Sequence, residues 1–291
     1  MISVIIRTYN EERLIGALLD GVASQTDTGK VEVILVDSGS TDQTVPIARE
    51  HGARVVEISK DAFSFGRSCN VGCAQARGEF AVFVSGHCVP ASEDWLKNLV
   101  APFEDPKVAV SYGRQLPGLT TRFSEGRVFE KYFPETGKNE QFPFFSNNAN
   151  CAIRLHLWDR FPYDEALTGL EDMAFAKQCF EGGYQVHYSP EAAVYHIHDE
   201  TWRQVFRRYE REAFAIKEII PHMRLSYRDA LFYTLVAVGA DLFKLGKREW
   251  HPKALLSVLL YRSCQFFGGA RGHKIQDHHA ESDKLRYYYP V

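Results

Sequence analysis

Four short apolar runs set the rhythm of the N-terminal part of the chain. Residues 2–6, 31–36 and 54–58 are rich in β-branched side chains, and 80–84 is a continuous apolar run. That is the pattern of strands buried on both faces of a parallel sheet. Between them apolar positions recur at helical spacing. Residues 11–24 put Leu14, Leu18 and Val22 on one stripe, with Asn10 as the expected N-cap. A second helix is expected from Ser40 or Thr41 to His51, and a third over 65–77, carrying Arg67 and Asn70. This alternation predicts an α/β fold, with a doubly wound, mostly parallel sheet flanked by helices and right-handed crossovers.

The pattern loosens further on. In residues 111–148, Gly and Pro interrupt the aromatics Phe123, Phe129, Tyr132, Phe133, Phe142, Phe144 and Phe145. The stretch reads either as loop-rich packing or as a lid over an acceptor. A strand is expected at 151–154 and a helix from Glu171 to about residue 180, closed by Gly182-Gly183. Two short strands are expected at 184–188 and 192–198, around Ser189-Pro190. Residues 1–200 are expected to form the main domain and 201–291 a basic helical extension.

Within that extension a helix over 202–217 carries Gln204, Arg207, Arg208, Tyr209 and Arg211. The apolar stretches 231–240 and 254–261 are flanked by Lys244, Lys247, Arg248, Lys253 and Arg262. Both are too short to span a bilayer. They read as helices packed on the core, or as a pair lying on an anionic membrane surface. His278, His279 and Tyr287, Tyr288 and Tyr289 read as a mobile tail with no function attached.

Ligands of an open α/β sheet bind beyond the carboxyl ends of its strands. Tyr9-Asn10-Glu11, Asp37 and Ser85-Gly86-His87 each stand at such an end and should line one crevice. A glycine there admits close backbone approach, and His87 can ligate a metal or donate a hydrogen bond. The chain has no GxGxxG, no GxxxxGK[ST] and no GxSxG, which disfavours a dinucleotide fold, a P-loop and a hydrolase elbow. Asp37 can still accept a hydrogen bond from a base or ribose. Glu171 and Asp172 sit about 100° apart on their helix and cannot share one job. Glu171 is assigned to positioning, and Asp172 is expected to be a general base kept ionised by the helix N-terminus. His196 and His198 alternate with Tyr195 and Ile197, and such a pair can ligate one metal.

Composition adds three constraints. With 291 residues and a hydrophobic share of 45% the chain can bury one large core plus an appendage. The net charge of −3 is unevenly spread: residues 201–291 hold 16 Lys and Arg against 9 Asp and Glu, leaving 18 against 28 for the rest. A basic end suggests an anionic surface or ligand. The six cysteines form no CxxC and read as free buried thiols in a reducing compartment. Met1 leads straight into a strand, so no signal peptide is expected.

The ordered set of motifs resembles glycosyltransferase family 2. Val4-Ile5-Ile6-Arg7-Thr8-Tyr9-Asn10-Glu11-Glu12, Val36-Asp37-Ser38-Gly39-Ser40-Thr41-Asp42 and Arg67-Ser68-Cys69-Asn70-Val71-Gly72 are similar to its nucleotide-sugar half. Glu171-Asp172, Gly183-Tyr184, Pro190 and Val194-Tyr195-His196 are similar to its acceptor half. On this likeness, residues 1 to about 110 and about 111 to 200 are the two halves. The resemblance implies a GT-A fold, a divalent metal, and inversion at the anomeric carbon. It places Thr8, Tyr9, Glu11 and Asp37 on the nucleoside, with Ser85 and Gly86 beside the donor. It puts Arg67 near the diphosphate and makes Asp172 the base. Where the family carries Asp-x-Asp this chain has Ser85-Gly86-His87. His87 would then hold the metal, assisted by His198 or His196, with Mn²⁺ favoured over Mg²⁺ because imidazole suits the harder ion poorly.

The resulting expectation is transfer of a sugar from a nucleotide-diphosphate donor to a glycan or lipid-linked acceptor, in surface polysaccharide synthesis. The location is cytoplasmic, peripheral on the inner face of the membrane, and no nucleic-acid partner is expected. A nucleotidyltransferase would want a Gly-rich loop after the first strand, which residues 7–12 lack. A non-catalytic binding module with a decayed metal site is the other alternative, supported by Ser85.

Overall fold

A computed structural model describes residues 1–137, 142–246, 250–275 and Tyr288. Lys247, Arg248, His278, His279, Tyr287 and Tyr289 lie outside them. The four N-terminal apolar runs are strands β1 (Ile2–Thr8), β2 (Val31–Asp37), β3 (Arg54–Glu57) and β4 (Phe80–Ser85). They pair in parallel in the order β3-β2-β1-β4, linked by helices α1 (Ile15–Ala23), α2 (Thr44–Glu50) and α3 (Phe65–Gln75). Strands β5 (Cys88–Pro90), β6 (Val108–Pro117), β7 (Asn150–Arg154) and β8 (Gln185–His196) complete one eight-stranded sheet in the order β7-β6-β8-β5. β7 is antiparallel to both neighbours, β6 and β8 are parallel, and β5 runs antiparallel along β8. Helices α4 (Trp95–Val100), α5 (Phe123–Tyr132), α6 (Leu155–Trp158) and α7 (Glu171–Glu181) fall among these strands.

Side chains of a strand alternate between faces, so an unbroken apolar run feeds two cores at once. Val4, Ile6, Leu35, Val82 and Val84 pack on one face with Ile15, Leu18 and Val22 of α1 and Trp95 and Leu99 of α4. Ile5, Ile34, Val36, Ala81 and Phe83 pack on the other with Cys69 and Cys73 of α3 and Phe175 and Cys179 of α7. All six cysteines are free, and all but Cys264 are buried.

The chain forms two compact units. The first comprises Met1–Leu119, Phe129–Ala166 and Glu171–Ile197; the second comprises Thr120–Val128, Leu167–Leu170 and His198–Val291. The two short stretches that join the second unit had no sequence signal. That unit carries helices α8 (Trp202–Ile219), α9 (Tyr227–Lys244) and α10 (Pro252–Lys274). Capping boxes open α8 (Thr201 with Gln204) and α9 (Ser226 with Asp229). A Cβ on Gly268 or Gly272 of α10 would come within 2.6 Å of the Phe206 carbonyl or 2.1 Å of the Glu210 carbonyl. Only glycine permits that approach of α10 to α8.

Several sequence expectations are corrected. α1 starts at Ile15, not at residue 11, and Asn10 does not cap it. Asn10 takes a left-handed φ of 57° and accepts the Thr41 amide through Oδ1 at 2.8 Å, so its polarity ties two loops together. α2 starts at Thr44, whose amide Asp42 accepts at 3.0 Å. Residues 111–148 contain most of a ten-residue strand and a helix. The two short strands expected around Pro190 are one strand, because Pro190 falls at an irregularity in the ladder where its missing N–H costs nothing. β8 ends at His196, which leaves His198 beyond it. Arg262 is a buried partner of Asp241, at 2.7 and 2.8 Å, and not a surface cation.

At the β8 irregularity Gly113 of β6 allows no side chain: a Cβ there would lie 2.0 Å from the Ala192 carbonyl and 2.4 Å from Asn150 Nδ2. Gly113→Ala should therefore destabilise the protein by about 1–3 kcal/mol, the usual cost of overpacking. Thermal unfolding checks this, and an unchanged melting temperature would show that the strands separate without penalty.

Candidate active site

Sheet register brings the first polar cluster together. Thr8 pairs with Asp37 across β1 and β2, and Arg7 pairs with Ser85 across β1 and β4. Gly86 follows, and a Cβ on it would lie 2.9 Å from both Glu11 Cγ and Thr8 Cγ2. Glycine is needed for that contact. Asp37 is buried, and its carboxylate accepts four hydrogen bonds: the Gly39 and Ser40 amides at 2.9 Å each, Ser40 Oγ at 2.5 Å and Thr8 Oγ1 at 3.2 Å. Four is about the capacity of a carboxylate. Here Asp37 shapes its own loop, in place of the open acceptor expected from the sequence. Lys60 Nζ donates to the Tyr9 hydroxyl at 2.9 Å and lies 4.7 Å from the ring centre.

The second cluster is an imidazole pair. The ladder between β5 and β8 sets Cys88 opposite His196, which brings the preceding His87 alongside. Their Nε2 atoms are 3.1 Å apart and their rings are nearly parallel, at 21°. His87 Nδ1 lies 2.7 Å from a Glu11 carboxylate oxygen, so its proton sits there and Nε2 presents a lone pair. His196 Nδ1 meets Gln115 Oε1 at 2.6 Å, and Phe129 stacks on its ring at 5.7 Å. At this separation a proton shared between the two rings, or a cation in its place, satisfies both Nε2 atoms. Imidazoles whose Nδ1 protons are held by a carboxylate or amide oxygen are the usual form of histidine metal ligands, so the residues present fit a divalent ion.

The third cluster surrounds the start of α7. Glu171 and Asp172 are both buried. Arg7, at the end of β1, reaches across to Glu171 with Nη1 2.7 Å from Oε1. Asp172 accepts the Asn148 amide at 2.8 Å and the Met173 amide at 2.7 Å. Even so, burial and the charge of Glu171 push its pKa up to about 7, against the opposing effect of those amides and Arg7. The expectation of a simply ionised carboxylate is corrected. Desolvation outweighs the helix terminus, and a carboxyl near neutrality results. Leu170, just before the pair, has a left-handed φ of 57°, an unusual conformation for a bulky side chain.

Two further candidates are each engaged by a carboxylate. Arg67 is half exposed, with Nη1 3.5 Å from Glu165. His198 belongs to the second unit, where its Nδ1 lies 2.8 Å from Glu125. Arg208 pairs there with Glu125 at 2.7 Å and Glu200 at 2.8 Å, so it is no solvated basic side chain. Burial would raise the pKa of Glu125, but the His198 hydrogen bond and the Arg208 charge bring it below the usual carboxylate range. Sequence reasoning missed Arg7, Gln115 and Asn148 as members of the site. A lone arginine closing a buried strand was the available signal for Arg7, because such a charge needs a carboxylate partner.

A mostly parallel sheet with polar clusters beyond its strand ends is the arrangement in which an α/β fold binds its ligands. The model of "Glycosyl transferase family 2" matches residues 3–156, just over half of the 291 residues. The chain is 32% identical to the O-antigen chain rhamnosyltransferase RfbN of Salmonella typhimurium, over 88% of this chain and 86% of that protein. It is 27% identical to the poly(ribitol-phosphate) beta-N-acetylglucosaminyltransferase TarS of Staphylococcus aureus, over 91% of this chain and 44% of that one. Its fold is similar to that of the mannosyltransferase PcManGT from Pyrobaculum calidifontis, solved with GDP-Man and Mn²⁺: TM-score 0.59, 19% identity, 98% of this chain and 72% of that one. The chain belongs to glycosyltransferase family 2 and is a glycosyltransferase.

The raised pKa of Asp172 has a stability consequence of fixed sign. Between its ordinary value of 3.8 and about 7 the folded protein holds a proton that the unfolded chain has lost. Asp172 therefore contributes full stability below 3.8, and this falls away as pH rises towards 7, by an amount on the order of a few kcal/mol. The melting temperature of Asp172→Asn should decline less steeply than that of the parent between pH 4 and 7. Equal slopes would mean that Asp172 titrates at its ordinary value.

Proposed function

We propose that the chain is an inverting, metal-assisted transferase moving a hexose or deoxyhexose from a nucleotide diphosphate to a hydroxyl of a glycan or lipid-linked acceptor, in surface polysaccharide synthesis. The observation that carries the reading is Asp172, a buried carboxyl whose pKa is pushed up to about 7, on the helix between β7 and β8. A general base works best with a pKa near the operating pH. Asp172 takes the acceptor proton as the hydroxyl oxygen bonds to the anomeric carbon and the diphosphate leaves from the opposite face. Glu171, paired with Arg7, orients the start of α7. The loops of Thr8, Tyr9, Glu11 and Asp37 form the nucleoside wall, with Asp37 fixing its shape. Ser85 and Gly86 lie along the donor, and Arg67 serves the diphosphate. His87 and His196 would hold a divalent cation, which supplies charge neutralisation for the leaving diphosphate. Nitrogen ligands favour Mn²⁺, Fe²⁺ or Zn²⁺ over Mg²⁺. The relatives named for rhamnose transfer and the Mn²⁺-bound mannosyltransferase support this reading.

The test has two arms. Thermal stabilisation by a panel of nucleoside diphosphates with Mn²⁺, Mg²⁺ or chelator should give a metal-dependent shift for one base. His87→Ala should lose the metal-dependent part, and full activity of that variant or in excess chelator removes the metal assignment. With the donor known, kcat/KM should rise with pH through about 7 as Asp172 loses its proton. Asp172→Asn should lower kcat by about 10²–10⁴-fold. No shift with any nucleotide would point instead to a non-catalytic module with a decayed metal site.

A further inference from the structure

Helix α9 is built inside out. Its buried stripe carries Thr234 and Asp241 beside Ala230, while Leu231, Phe232, Leu235, Val236 and Phe243 face outward. The exposure is large: 62% for Phe232, 63% for Leu235 and 87% for Phe243. Positions 231, 235, 239 and 243, and 232 and 236 beside them, follow helical spacing, so they share one face. A surface helix ordinarily does the reverse and turns its apolar stripe inward. The inversion has a local cause, because Asp241 must stay inside to hold Arg262 through two hydrogen bonds. On α10, Leu256 and Leu259 are also exposed, and Trp250 stands exposed just before it. A contiguous apolar patch of this kind marks a docking surface.

We infer that the exposed face of α9 and the start of α10 dock the second unit on an anionic bilayer surface. Exposed cations stand at the ends of the patch: Arg228 at the start of α9, Lys244 at its end and Lys253 at the start of α10. Asp229, exposed in the first turn of α9, is the partner of Ser226 in the helix cap. Tyr227, Tyr233 and Trp250 are exposed aromatics with a polar atom, the side chains that settle at the boundary between headgroups and acyl chains. No helix among the described residues is long and apolar enough to cross a membrane, so the contact is one that lies in the interface. A second copy is the less fitting occupant. Both halves of a symmetric pair would carry the same positive rim, whereas anionic headgroups neutralise it.

The inference does not rest on the transferase reading, and its test needs neither donor nor acceptor. The full chain is sedimented with phosphatidylcholine vesicles and with vesicles containing phosphatidylglycerol, at low and high salt. It should pellet with the anionic vesicles and be released as salt screens the attraction. Phe232→Glu with Leu235→Glu should remain in the supernatant at an unchanged melting temperature, since both sites are exposed. Lys244→Gln and Lys253→Gln should each weaken binding about fivefold. A full chain that stays in solution with anionic vesicles at low salt overturns the inference, as does a double variant that pellets like the parent. A dimer that the double variant splits, with no vesicle uptake, assigns the face to a second copy.

Discussion

Two adjacent carboxylates, Glu171 and Asp172, are buried together, and one partly buried guanidinium makes this tolerable. Arg7 reaches from the end of β1 to Glu171 over 2.7 Å and is paired in turn. Without it two like charges would share a low-dielectric space, at a cost of several kcal/mol per ion. With it Glu171 has an opposite charge at hand, and its neighbour Asp172 is pushed up to about 7. β1 lies between β2 and β4 in the sheet, so the electrostatics of α7 are anchored to an interior strand of the first unit.

The imidazole pair depends on a different constraint, the short ladder between β5 and β8. Three residue pairs hold it, from Cys88 opposite His196 to Pro90 opposite Val194. They suffice to set His87 against His196 because each ring is also fixed from behind, by Glu11 and by Gln115. A glycine at position 86 keeps Glu11 and Thr8 close enough for that arrangement. The same backbone economy recurs at Gly113, and at Gly268 and Gly272 in the second unit, where main chains touch and no side chain fits.

The two units solve burial in opposite ways. In the first, apolar strands separate two hydrophobic layers, and polar groups collect beyond the strand ends. In the second, part of the interior is polar and paired: Arg262 with Asp241, and Arg208 with Glu125 and Glu200. Residues that would elsewhere form a core are left on the outside of α9.

Much of the first unit was legible in the sequence, because an apolar run with β-branched residues has few other places to go. β1 to β4, β7 and α3 fall close to where periodicity puts them, while β5 and β6 were not foreseen and β8 was read as two strands; the order of motifs carried the family. The starts of α1 and α2 were misjudged, since Asn10 and Asp42 can cap a helix or bridge loops and only their neighbours decide which. The apolar stretches near the C-terminus looked like core-facing or membrane-facing helices, and composition cannot say which side of a helix turns inward. The site was half visible: acids and histidines announce themselves, but their electrostatic state does not. Arg7 and Glu171 are 164 positions apart, as unreadable locally as the bond from Gln115 to His196. What the sequence alone determined was the four N-terminal strands, the helices between them and the chemical types at their ends, because these follow from short-range periodicity. What only the tertiary structure decided was which charges share a buried space, because desolvation and pairing depend on neighbours that only the finished fold brings together.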